Sequence, residues 1–110
     1  MTIPNADLAI IAPEKIRNYL LNLGHRRGGS KAKLLVSMGY SADQGQILEA
    51  DLRSQHLTID YYHEETNEYG VSYVIIAPLT GPNGRSDTFR SIWQIDTGTA
   101  VPRLITMYPE

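Results

Sequence analysis

The hydrophobic pattern of this 110-residue chain changes period once, near residue 56, and that change restricts the fold more than any motif does. Ahead of it the apolar residues recur at helical spacing. Pro13 and Glu14 suit a first helical turn, where the missing proline N–H costs nothing. Ile16, Tyr19, Leu20 and Leu23 then follow at i, i+3, i+4 and i+7 as one stripe, and Gly24 is placed to end it. Ser30 can cap a second helix that buries Leu34, Leu35 and Met38, with Gly39 as its left-handed stop, so His25 to Gly29 reads as an exposed linker. Ser41 and Gln44 match a capping box for a third helix, in which Ile47, Leu48, Asp51 and Leu52 keep the spacing to about Ser54 and Gly45 is a weak point.

Beyond the change the period is two. Leu57, Ile59 and Tyr61 alternate with Thr58, Asp60 and Tyr62 as a first strand, which the acidic run HEETNEYG then breaks. Val71 to Leu79 is apolar on both faces at its centre, as a middle strand would be. Asn83-Gly84 within GPNG is a strong hairpin signal, since glycine accepts the positive φ that a tight turn demands. The third strand sets Phe89, Ser91, Trp93 and Ile95 on one face, and the fourth sets Leu104, Thr106 and Tyr108 opposite Arg103, Ile105 and Met107. Two or three helices followed by a four-stranded antiparallel meander packed on them is an α+β architecture. Residues 1–110 are expected to form a single domain, a length sufficient for one modest core.

Composition narrows the class. With 42% hydrophobic and 20% charged residues the chain reads as globular, and no apolar run reaches the roughly 20 residues of a bilayer crossing, so no membrane association is expected. The opening MTIPNADLAIIAPEK lacks a basic flank, which argues against a secretory or transit leader and makes the cytoplasm the expected compartment. The absence of cysteine excludes disulfides and thiolate chemistry. A net charge of −2 is unsuited to coating nucleic acid non-specifically. That average hides a polarity. Lys15, Arg17, Arg26, Arg27, Lys31 and Lys33 fall in a stretch without a single acid, whereas seven acids between Asp43 and Glu68 face Arg53 alone. Such an asymmetry fits a local anion site better than a long groove, with two solvated faces as the plain alternative.

The groups able to do chemistry are few. His25 lies in the basic loop GHRRGGSK, where a histidine can transfer protons near neutral pH. Lys31 falls in the first turn of the second helix, where free N–H groups already favour an anion. Ser91 and Trp93 stand two apart on one strand face and together offer a hydroxyl and an aromatic wall, although the face they share with Phe89 favours core packing. Arg85 beside the rigid turn, and to a lesser degree Arg90, could neutralise a phosphorane. Thr106 and Tyr108 on the last strand have the same two readings. His25, His56 and His63 are scattered, and His63-Glu64-Glu65 reads as an acidic turn, so no metal site is expected. No phosphate-loop, dinucleotide or hydrolase-elbow motif occurs, so no nucleotide cofactor is expected either.

In its segments IPNADLAIIAPEKIRNYLLN, SKAKLLVSMGY, LTGPNGR and VPRLITMYP the chain resembles a bacterial family known as domain of unknown function 6883, over nearly its whole length. More remotely, helices before an antiparallel meander are similar to the fold shared by barnase, RelE and the colicin D and E5 nucleases. That second resemblance implies a metal-independent ribonuclease toxin, an endonuclease acting on RNA such as tRNA or mRNA by 2′-hydroxyl attack on the neighbouring phosphate, without a cofactor. It implies His25 as the proton-transfer group, Lys31 and Arg85 as phosphorane stabilisers and Ser91 as a hydrogen-bond donor. Trp93 would pack the site or a base, and Thr106 is a secondary candidate. Ser91-Ile92-Trp93 reproduces the colicin D serine–tryptophan pair, whereas Lys31 here follows His25 instead of preceding it. A toxin implies a neutralising antitoxin or immunity protein. The rival reading makes this chain itself the antitoxin or immunity partner, or a plain interaction module, presenting its acidic segment. An unpaired edge strand leaves a homodimer open.

Overall fold

The computed structural model describes residues 1–24 and 29–110. Three helices precede a four-stranded antiparallel sheet of order β1-β2-β3-β4, so the expected α+β arrangement holds. The first helix, α1 (Pro13–Lys15), continues directly into a π-type turn, Ile16–Leu20. There the Leu21 N–H reaches back five residues to the Ile16 carbonyl at 2.8 Å. This wider turn shifts the apolar stripe: Ile16, Leu20 and Leu21 are buried, while Leu23, expected inside, is 54% exposed.

The second helix, α2 (Gly29–Ser37), buries Ala32 and Leu35 and is followed by buried Met38 and by Gly39 at φ 101°. The expected capping box at Ser41 does not form; a 3-10 turn, Ala42–Gln44, intervenes and α3 runs Gly45–Gln55. Gly45 is there for closeness, because a Cβ at that position would stand 2.9 Å from Ile16 Cγ2.

The first strand departs from expectation. Residues 57–59 stay with the end of α3, where Leu57 N–H bonds to the Leu52 carbonyl, Ile59 N–H bonds to that of His56 and Leu57 is buried, while the Tyr61 and Tyr62 N–H groups bond to the Met1 and Val74 carbonyls. The acidic run expected to break a strand is itself β1 (His63–Asn67), exposed at all five positions. Backbone pairing to β2 (Gly70–Thr80), from His63↔Val74 to Asn67↔Gly70, holds it. β3 (Ser86–Asp96) pairs along all of β2, and the hairpin between them docks on the end of α2. The Asn83 N–H bonds to the Met38 carbonyl, and a Cβ on Gly81 would meet that same oxygen.

β4 (Arg103–Pro109) pairs with β3, but the register shifts between Ile92 and Trp93. Trp93 pairs with Leu104 and Ile92 with Thr106, leaving Ile105 as the extra residue. The bulge overturns the simple alternation expected of β4. Leu104 and Met107 face the helices and are buried, while Thr106 and Tyr108 share the opposite sheet face with Ile92 and Arg90. Outside the named strands, Ile10 forms a parallel bridge to Arg103 along the outer side of β4.

Candidate functional site at the fourth strand edge

Among the polar links between helices and sheet, two clusters hold residues singled out from sequence. The first is sealed. Ser91 and Trp93 are both 0% exposed, as is His56 at the end of α3. The Trp93 indole N–H donates to Ser91 Oγ at 2.9 Å, Ser91 Oγ lies 2.8 Å from His56 Nδ1, and His56 Nε2 lies 3.2 Å from the Ala77 carbonyl. A carbonyl only accepts, so Nε2 carries the proton, Nδ1 accepts from the Ser91 hydroxyl, and the chain of bonds is complete. Burial pushes the imidazole down to about 4, with the Ala77 hydrogen bond opposing, so this histidine is neutral at physiological pH. Ser91 does donate a hydrogen bond, but to His56 inside the core, away from any ligand. Nothing in the sequence pattern singled out His56.

The second cluster is open. Lys31, in the first turn of α2, donates to the Tyr19 phenol oxygen at 2.7 Å and to Thr106 Oγ1 at 3.3 Å. Its ammonium lies 4.8 Å from the Tyr19 ring centre and 5.6 Å from that of Tyr108. Lys15 sits 5.9 Å from the Tyr19 ring and donates to the Ile105 carbonyl at 2.7 Å, satisfying the bulged residue of β4. All five side chains are half-buried. Tyr19 is held below the ordinary tyrosine value by the hydrogen bond from Lys31, then that from Thr106; burial opposes, and the charges of Lys31 and Lys15 add to the lowering.

Charge pairing separates this cluster from four arginines, though not from the exposed Arg17 and Lys33, which pair with no described carboxylate either. Arg53, Arg85, Arg90 and Arg103 pair with Glu49, Asp87, Glu110 and Asp96 respectively. Among the described residues no carboxylate pairs with Lys15 or Lys31. Two ammonium groups thus flank one phenol, and that of Lys31 also reaches a hydroxyl, with no described carboxylate to answer them.

Of the residues singled out from sequence, the structure therefore brings Lys31, Thr106 and Tyr108 together and adds Tyr19 and Lys15. Arg85 lies elsewhere. It donates to Ser37 Oγ at 3.0 Å, at the far end of α2 and about 9 Å along the helix from Lys31. His25 lies outside the described residues, as does the loop expected to carry it. A signal for Tyr19 did exist, because Lys15 and Tyr19 stand four apart, the spacing of neighbours on a helix. A hollow of about 550 Å³ is lined by Ile3, Asn5, Asp7, Arg53 and Leu57 among others and includes none of these five groups. Among the described residues no group of three or more metal-ligating side chains assembles, and no helix is long and apolar enough to cross a membrane.

Helices ahead of an antiparallel meander, with a cationic cluster where α2 meets the last strand, define a small α+β fold. The chain belongs to the family described as a domain of unknown function (DUF6883), whose model matches residues 2–110. No curated protein matches it in sequence. Among solved structures it is similar to a chain of the contact-dependent growth inhibition toxin–immunity protein complex from Klebsiella pneumoniae 342. The TM-score is 0.74 at 18% identity, over 92% of this chain and 99% of that one. At that identity the likeness is one of fold.

Proposed function

We propose that this protein is the toxin member of a toxin–immunity pair and cleaves RNA at the β4 edge. The single observation carrying the reading is the meeting of Lys31 with Tyr19 and Thr106 beside Lys15, neither lysine being paired with any described carboxylate. RNA supplies its own nucleophile, the 2′-hydroxyl, so the protein has only to hold the phosphate, neutralise charge as the phosphorane forms and move protons. Lys31 meets the phosphate, Thr106 offers a hydroxyl beside it, and the exposed part of Tyr108 gives a ring for a base. The fold likeness to a chain of a toxin–immunity complex supports the setting, and the uncompensated cations favour the toxin over its inhibitor.

A second reading rests on β1, whose five exposed residues include Glu64 and Glu65 on an edge strand that could face a basic partner, as an immunity protein would. Induced expression in bacteria separates the two. Growth arrest is expected, with RNA fragments ending in 2′,3′-cyclic phosphate that also form in EDTA with purified protein. Lys31→Gln should lower cleavage by about 10² to 10³-fold, the usual effect of removing one transition-state charge partner. The exposed Lys33→Gln should leave cleavage intact. Harmless expression together with no cleavage in vitro would overturn the reading in favour of the inhibitor.

A further inference from the structure

We propose that Tyr19 is the general base of this site, taking the proton from the RNA 2′-hydroxyl; the inference rests on the RNA-cleavage reading above. The case begins with position. Tyr19 belongs to the π-type turn Ile16–Leu20, an irregularity that recurs at functional sites and here sets its phenol between the edge of β4 and the first turn of α2. The phenol oxygen receives the Lys31 ammonium at 2.7 Å, and the Thr106 hydroxyl bonds to it as well. Both donors favour the phenolate. The ring is flanked by a second ammonium, that of Lys15.

Among the described residues, the charged groups facing Tyr19 include Lys15 from α1 and Lys31 from α2, and Tyr108 of β4 shares Lys31. From α3, Glu49 lines with Ile16 and Arg17 a separate small hollow, and Asp43 in the preceding 3-10 turn is exposed. The Lys31 and Thr106 hydrogen bonds and the charges of Lys31 and Lys15 lower the phenol, burial opposes them, and the net direction is down.

The chemistry balances without a further reagent. The phenolate oxygen takes the 2′-proton, the 2′-oxygen forms a bond to the adjacent phosphorus, and the bond from phosphorus to the 5′-oxygen breaks. Water protonates the departing 5′-oxygen. The products are a 2′,3′-cyclic phosphate and a 5′-hydroxyl, and Tyr19 returns its proton to solvent. Lys31, which neutralises the phosphorane, also holds the base in its reactive form.

Three measurements on the purified full chain test this: cleavage of total bacterial RNA, binding of a fluorescent 2′-O-methyl oligonucleotide, and thermal stability. Tyr19→Phe should lower cleavage by about 10² to 10⁴-fold while binding and melting stay near wild type. Replacing Tyr19 by 3-fluorotyrosine, whose phenol is more acidic, should move the acidic limb of the pH–rate profile to lower pH. That result does not depend on Tyr19→Phe folding. Tyr19→Phe retaining cleavage within a few-fold, or a fluorotyrosine protein with an unmoved profile, overturns the base assignment while Lys31→Gln still reports on the site. If the wild-type protein cleaves no RNA, the assignment falls together with the reading beneath it.

Discussion

The interior chain from Trp93 through Ser91 to His56 and the edge cluster of Lys15, Tyr19, Lys31 and Thr106 both tie a helix to the sheet through polar side chains, yet they are opposite in kind. The first contains the residue types of a catalytic site and is closed. Every donor meets an acceptor, its members are 0% exposed, and among the described residues no buried side-chain nitrogen or oxygen lacks a partner. The second is built from residues usually assigned to helix surfaces and strand edges, and it carries unbalanced positive charge to water. Serine, histidine and tryptophan within hydrogen-bonding distance therefore do not make a site. What the edge cluster has and the interior chain lacks is access to water and charge that no described carboxylate answers.

If the interior chain is structural, breaking it should cost stability above all. Trp93 is the largest fully buried side chain, so Trp93→Ala should destabilise by about 3 to 5 kcal/mol, read from urea unfolding. A Trp93→Ala protein with near-normal stability and no RNA cleavage would move the indole to the functional side of the comparison.

The next effect is in pH. His56 titrates at about 4 when folded against 6.5 when free, so the unfolded chain binds the proton first. Stability conferred by the neutral imidazole is whole above pH 6.5 and declines as pH falls from 6.5 to about 4, by an amount on the order of 3 kcal/mol, with no further loss below. His56→Gln should flatten that slope in unfolding curves taken between pH 7.5 and 4.5. An unchanged slope would place the acid sensitivity elsewhere.

Ser91→Ala removes the group that both accepts from Trp93 and donates to His56, leaving two buried partners unsatisfied. The expected loss is about 1 to 3 kcal/mol. Lys31→Gln, in contrast, removes a half-exposed cation and should change stability by less than about 1 kcal/mol, so equal losses for the two variants would erase the distinction.

What could be read from the chain before its structure follows the same division. Patterns generated by burial or by a glycine's positive φ were legible: helices giving way to strands, though not the residue at which they do, the stop at Gly39, the hairpin at Asn83-Gly84 and the placing of Ser91 with Trp93 on one face. Features that add or remove one residue from a regular repeat were not. The π-type turn exchanges Leu23 for Leu21, and the bulge at Ile105 sends Met107 inward in place of Thr106. Neither leaves a compositional mark. β1 escaped because pairing alone holds it, with no face buried, while Leu57, Ile59 and Tyr61 alternate like a strand without being one. Within the site, Lys31 and Thr106 could be singled out as charged and hydroxyl groups, but Tyr19 looked like a member of the apolar stripe. Its polar tip emerges where the π-type turn meets the edge of β4.

The smallest expected effect probes where the edge site ends. Arg85 was the natural second cation from sequence, beside a rigid turn. The structure uses its guanidinium on Ser37 Oγ and, at 3.8 Å, on Asp87, with the side chain 53% exposed. An exposed pair of that kind contributes about 0 to 1 kcal/mol, and its charge is already answered. Arg85→Ala should accordingly lower the melting temperature slightly and leave RNA cleavage within about twofold, as expected for positions without shared partners. A tenfold loss of cleavage at unchanged stability would extend the functional surface along the whole of α2, from Lys31 to the hairpin, and the contrast drawn here would then lie between the two sides of that helix instead of between the core and the edge of β4.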